Sequence, residues 1–312
     1  MTAAFLDWNV HEDAANIVES AIELRKNNAE TVYAPIFASA EHTRDYLASP
    51  RIVWRTRVLE KFEVFTGKPI SGKVIEIGAG TGWCSAILSQ RPHVEEVYAL
   101  EYDRYCVETL MPMAHHAVGG REEKIRRVLG SFNLLKVGDG FFDLVVSIGA
   151  LHHSENLRVT LGEAFRALKP GGHVIATELC EFNSFTQREN HAKRYTPIPA
   201  KQAETQLGVT GRSVTHAENS DHYFRLCEYE AAAFDAGFDV TSFVFDSTPA
   251  SGGRLGLLAR TAREFCLRDR MFTRPQPYRG FSRRVSYPYF ARDSFSLKQS
   301  LYDRILLFLT KP

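Results

Sequence analysis

The chain has little that would take it out of the ordinary soluble-enzyme range, and each lack removes a class. No apolar run approaches the roughly 20 residues that a membrane-crossing helix needs. The opening "MTAAFLDWNVHEDAANIVES" has no basic stretch leading into an apolar one, so no secretory leader is expected there. Cysteine is sparse: Cys84, Cys106, Cys180, Cys227 and Cys266 are scattered, odd in number and never in a CxxC pair. That spacing suggests neither a disulfide framework nor a zinc knuckle, and reduced thiols in a cytoplasm are expected. No repeat or low-complexity tract is present. Net charge is only +1, from 38 Lys and Arg against 37 Asp and Glu, so bulk electrostatics favours neither nucleic acid nor an anionic membrane.

The 312 residues, 44% of them hydrophobic, suffice for one large domain with additions. Residues 1–70 carry apolar side chains at helical spacing (Ala14, Ile17, Val18, Ala21, Leu24; then Ile52, Val53, Val58, Leu59, Phe62) and are expected to form a helical cap. From Lys73 the texture alternates. "KVIEI", "EEVYALE", "KIRRVLG", "FFDLVVSIGAL" and "HVIATEL" are short apolar strand candidates separated by helical segments. This predicts an α/β domain over 71–260, with a parallel sheet wound by helices on both faces. The polar stretch 181–224 is expected to be an insertion, after which "RLCEYEAAAFDAGF" resumes as a helix. "DVTSFVFD" and "RLGLLAR" are expected to be the last two strands, as antiparallel partners. Residues 261–312, rich in arginine and aromatics and closing on the amphipathic "LYDRILLFLTKP", are expected to be an extension.

Three glycines alternate after the first strand, in "KVIEIGAGTGWCSAIL". Gly78, Gly80 and Gly82 allow a tight turn and close approach of a ligand to bare backbone at a helix N-terminus. A dinucleotide fingerprint would need a third glycine at the position of Trp83, which disfavours a dehydrogenase. Glu101, closing the second strand in "YALEYD", is placed to accept two vicinal ribose hydroxyls.

With Glu76 two residues before the first glycine, and with "FFDLVVSIGALHH" and "LKPGGHVIATE" following in order, the chain from Lys73 to Arg260 resembles the class I S-adenosylmethionine-dependent methyltransferases. The resemblance implies a doubly wound, mostly parallel, seven-stranded Rossmann-like sheet and S-adenosylmethionine as cofactor. It implies that Glu76 holds the methionine amino end, and that Gly78, Ala79, Gly80, Gly82, Trp83 and Gly149 lie around the ribose and methionine. Glu101 and Tyr102 would meet the ribose. The family often has an acidic residue after the third strand, near the adenine amino group; here "VLGSFNLL" leaves Ser131 or Asn133 to serve, with Phe132 over the ring.

Methyl transfer to a hydroxyl requires a base, and His152 and His153, after the fourth strand, are the catalytic candidates. Histidine pairs at this position also occur in relatives that do not use them as bases. Glu155 and Asn156 are expected to cap the next helix. In the insertion, His191, His222 and Tyr223 are expected to meet the acceptor, with His216, Glu218 and Asp221 nearby. No metal site is expected, since no H-x-x-x-H pair appears. The fourth strand ends in "SIGA", which lacks the Pro-Pro-aromatic turn and the Pro-Cys of nucleobase enzymes. The expected reaction is in-line methyl transfer to a small polar or sugar-type acceptor, at oxygen. The arginines from Arg254 to Arg292 would suit an anionic one. A methyltransferase of RNA or protein, and a non-catalytic scaffold with the same fold, are the alternatives.

Overall fold

A computed structural model describes residues 5–9, 19–181, 185–245, 282–284 and 304–312. Among these, four N-terminal helices, α1 (Glu19–Asn28), α2 (Ala34–Phe37), α3 (Ala40–Ala48) and α4 (Pro50–Thr66), precede the alternating region. α4 begins on a proline, whose missing N–H is an orphan in the first turn anyway, and stops at Gly67, which takes the left-handed φ of 69°.

The strands are β1 (Leu6–Asp7), β2 (Gly72–Ile77), β3 (Val94–Glu101), β4 (Ile125–Leu129), β5 (Phe142–Ile148), β6 (Leu168–Leu179), β7 (Pro197–Ile198), β8 (Val214–Thr215), β9 (Asp239–Phe245), β10 (Ser282–Arg284) and β11 (Arg304–Thr310). The helices that follow α4 are α5 (Trp83–Ser89), α6 (Met111–Val118), α7 (Leu157–Ala167), α8 (Gln187–Tyr195), α9 (Ala200–Leu207) and α10 (Leu226–Asp235). Pro112 does not break α6, because it sits in its first turn, after a π-helical turn at Cys106–Leu110.

Nine strands form one sheet in the order β1-β4-β3-β2-β5-β6-β11-β9-β10, and β7 pairs with β8 separately. Setting aside the two short edge strands leaves the seven-stranded arrangement expected from the sequence. β1 through β6 run parallel, and β11 is antiparallel to both of its neighbours. Successive strand residues feed opposite faces, as the two-residue period requires. Ile75, Val145, Val174 and Leu307 join the core beneath α7 and α10. Val74, Val146, Ile175 and Phe308 join the core beneath α4, α5 and α6.

One element differs from expectation. The strand between β6 and β9 is Arg304–Thr310, from the stretch read as an amphipathic end, with all five residues from Ile305 to Leu309 buried. A strand in mid-sheet is covered on both faces, so its run is apolar throughout. The "RLGLLAR" segment, Arg254–Arg260, and the arginines from Arg254 to Arg292 lie outside the described residues, apart from the backbone of Arg283 and Arg284 in β10. The insertion is less irregular than its polarity suggests. It holds α8, begun by a Thr186–Glu189 capping box, then α9 and the β7–β8 pair.

Candidate active site

The glycine turn links β2 to α5 at the carboxyl edge of the sheet. Gly78, Gly80 and Gly82 all take left-handed φ values, 66°, 58° and 80°, which cost a residue with a Cβ about 1–2 kcal/mol each. Space is as restrictive as torsion. A Cβ at Gly78 would lie 2.4 Å from Ala150 Cβ, and one at Gly82 would lie 2.6 Å from His115 Nε2. At Gly80 it would meet Arg25 Nη2, which α1 brings across the turn.

Glu101, at the end of β3, is buried and faces this turn. Its Oε2 accepts the Gly80 N–H at 2.8 Å; its Oε1 accepts those of Tyr102 at 3.0 Å and Asp103 at 3.3 Å. Arg25 Nη2 stands 3.8 Å from Oε2. Oε1 is filled by its two donors, whereas Oε2 retains a lone pair for a further one. Burial still outweighs the positive charge of Arg25, so the Glu101 pKa is raised. Glu76, on β2, is also enclosed; burial pushes it up to about 7, although its Oε2 accepts a hydrogen bond from Ser85.

Beside these groups opens a cleft of about 470 Å³, lined by Gly78, Leu100, Glu101, Tyr102, Ser131 and Phe132 among others. Asn133 and His153 also line it, and Ala21 and Ser220 contribute from α1 and the insertion. Trp83 packs into the core as the first residue of α5, and Ala79 donates its N–H to Leu100; neither lines the cleft. Gly149, at φ 71° just past β5, donates its N–H to Thr177 and lies against Arg55.

His153 lines the cleft from a short 3-10 turn, Leu151–His153; His152, beside it on that turn, is not among the lining residues. Their rings are 4.0 Å apart. His152 Nδ1 is 2.8 Å from Glu178 Oε2, while Glu178 Oε1 accepts the N–H groups of Ala150 at 2.8 Å and Leu151 at 2.7 Å. A carboxylate so occupied takes the Nδ1 hydrogen and leaves the lone pair on Nε2. Burial lowers the His152 pKa, but the Glu178 hydrogen bond and charge outweigh it, and the net shift is upward. Burial and the neighbouring His152 push His153 down to about 4. Its Nδ1 lies 3.3 Å from the Ser220 carbonyl and 3.5 Å from Asp221 Oδ1.

Asp221 reaches this cluster from the insertion, tied to His216 Nδ1 at 2.8 Å and to Asn219. His222 donates its N–H to the His152 carbonyl, stacks on Phe224, and holds Nε2 2.9 Å from Glu155. Asn156 caps α7, whereas Glu155 is turned toward His222 and Ser220. Tyr223 is buried beneath Lys193. His191 stands apart, exposed on α8 against Tyr195, and is not among the residues lining the cleft. Glu178, Arg25 and Arg55 were missed by sequence reasoning. The signal for Glu178 was available: like Glu101, it is an acid at the carboxyl end of an apolar strand segment.

Residues 75–176 match the family model described as a methyltransferase domain. The chain is 28% identical over 166 residues to the biotin biosynthesis bifunctional protein BioHC of Saccharophagus degradans, covering 53% of this chain and 26% of that protein. It is 33% identical over 114 residues to a dimethylglycine N-methyltransferase of Parasynechococcus marenigrum, covering 35% and 38%. The chain thus spans well under half the length of these relatives. Its fold is that of the crystal structure of a candidate sarcosine dimethylglycine methyltransferase from Galdieria sulphuraria, at TM-score 0.53 and 15% identity, covering 83% of this chain and 86% of that one. The chain carries a class I S-adenosylmethionine-dependent methyltransferase domain, and S-adenosylmethionine is the cofactor of that domain.

The residues present fit that cofactor. Gly78 lines the cleft as bare backbone at a left-handed φ, and Glu101 presents the open lone pair of Oε2 beside it. Within the turn, the buried Thr81 hydroxyl has no hydrogen-bond partner among the described residues.

Proposed function

We propose that the protein transfers the methyl group of S-adenosylmethionine to a small polar or sugar-type acceptor, at oxygen, with His152 as general base. The bound cofactor supplies an electrophilic methyl group on a sulfonium. The chain's part is to position and to move a proton. Glu101 and the glycine turn would hold the nucleoside, with Ser131 and Phe132 beside the adenine and Glu76 toward the methionine end. The carrying observation is the 2.8 Å contact of His152 Nδ1 with Glu178, which fixes the ring and leaves Nε2, 3.9 Å from Asp221 Oδ1, to take a proton. His153, at about 4, stays neutral near pH 7 and serves as a wall of the cleft. The α1 helix and the insertion, through Ala21 and Ser220, would enclose the acceptor. No described helix is long and apolar enough to cross a membrane, and four described cysteines are free thiols, which supports a reducing cytoplasmic setting.

A panel of hydroxylated acceptors with isotopically labelled cofactor tests this. His152→Ala should lower turnover by about 100-fold or more while cofactor affinity stays within about threefold. In the wild type, turnover should rise with pH as His152 loses its proton, with the inflection above the ordinary histidine value. Glu178→Gln should move that inflection to lower pH. An inflection indifferent to Glu178, or equal losses of turnover and affinity in His152→Ala, would remove the base role.

A further inference from the structure

Arg55, on α4, lays its guanidinium against the turn that follows β5. A Cβ at Gly149 would lie 3.0 Å from Arg55 Nη2 and 3.9 Å from Cζ. The next residue, Ala150, is the one against which the cofactor turn packs at Gly78. Arg55 therefore stands beside the meeting of the turn after β5 with the glycine turn, whose Gly78 lines the cleft. Its surroundings are cationic: Arg51, one turn earlier on α4, and Arg304, opening β11, are close enough to disfavour its charge. Among the described residues no carboxylate forms an ion pair with Arg55 or Arg51. Burial first, and those two arginines next, push the Arg55 pKa down to about 10, and the phenols of Tyr46 and Tyr33 only partly offset this. A half-buried cation with cationic neighbours and no ion-paired carboxylate among the described residues is costly in the free protein. It gains most from an incoming anion, and a planar guanidinium matches a carboxylate with two parallel hydrogen bonds.

We propose that Arg55 is an anion-binding residue beside the cleft, taking a carboxylate over Gly149. The inference rests on the reading of the cleft as a methyltransferase site. Two carboxylates could arrive there: the α-carboxylate of the cofactor's methionine end, or an acid group on the acceptor.

Calorimetric titration of the full chain separates these sources. S-adenosylhomocysteine is one probe. The other is 5′-methylthioadenosine, which keeps the nucleoside and sulfur but lacks the amino-acid carboxylate. If the cofactor's carboxylate is the ligand, Arg55→Met weakens S-adenosylhomocysteine by tenfold or more, leaves 5′-methylthioadenosine within twofold, and Arg55→Lys falls between. If the acceptor's acid is the ligand, both probes bind the variants normally. Succinate, added to protein saturated with S-adenosylhomocysteine, then raises the melting temperature of the wild type but not of Arg55→Met. The proposal is overturned if the variants, melting cooperatively like the wild type, neither discriminate between the two probes nor lose a succinate effect. A wild type that binds neither nucleoside would defeat the methyltransferase reading instead, and the succinate comparison, repeated on the protein without nucleoside, would then decide alone on Arg55.

Discussion

Glu76 makes cofactor affinity depend on pH in a calculable way. In the free protein its pKa is pushed up to about 7 by burial, so near neutrality the group is half protonated. If it holds the cationic amino end of the cofactor, binding requires the ionised form. The apparent dissociation constant then scales as one plus ten to the power of seven minus the pH. Between pH 8 and pH 6 the affinity for S-adenosylhomocysteine should fall about tenfold, or ~1.4 kcal/mol. At pH 7 binding should release about half a proton. Calorimetry at pH 6, 7 and 8, with buffers of different ionisation enthalpy at pH 7, measures both quantities. Glu101 is also raised by burial, so the slope alone is not diagnostic. The difference between the wild type and Glu76→Gln is. The variant should bind more weakly at pH 8, by roughly the 1.5–3 kcal/mol of a charged hydrogen bond, and should lose the slope. A wild-type affinity that is constant from pH 6 to 8, or a slope that survives in Glu76→Gln, would refute the assignment.

The glycine turn gives a paired test. Gly67 and Gly78 have similar left-handed φ values, 69° and 66°, but a Cβ at Gly67 meets nothing within 4 Å, whereas one at Gly78 lies 2.4 Å from Ala150 Cβ. Gly67→Ala should cost about 1–2 kcal/mol in urea unfolding. Gly78→Ala should exceed it by about 1 kcal/mol or more and weaken S-adenosylhomocysteine binding; equal costs would show that the close approach to Ala150 does not matter. His115 is fully buried with neither ring nitrogen hydrogen-bonded among the described residues, and burial pushes its pKa down to about 3. Its ordinary value is higher, so the unfolded chain binds more protons as pH drops, and the stability present above about 6.5 is lost as pH falls toward 3. Between pH 7 and 5 His115 alone should cost about 2 kcal/mol. His115→Leu should reduce the pH dependence of urea midpoints by that amount, and an unchanged dependence would show that the ring does not stay neutral.

The strands from β2 to β6, the glycine turn and Glu101 were legible because their signals are local. Short apolar runs, glycines on alternate positions and an acid at a strand end are each contained in a few neighbouring residues. β11 was not legible, because a five-residue run apolar on both faces reads equally well as part of a helix, and its pairing with both β6 and β9 decides the matter. The same holds within the site. His152 was visible as a candidate, but its orientation depends on Glu178, 26 residues later, brought alongside by the register of β5 with β6. Asp221 reaches the histidines from an insertion with little apolar periodicity, and Arg55 reaches Gly149 across 94 positions from a helix outside the alternating region. The sequence by itself determined the layered fold, which follows from the alternation of segments along the chain, and the class of cofactor through the family resemblance that its motifs carry. Which polar groups confront one another in the cleft was decided only by the tertiary structure, because burial and partner choice arise when distant strands and helices pack together.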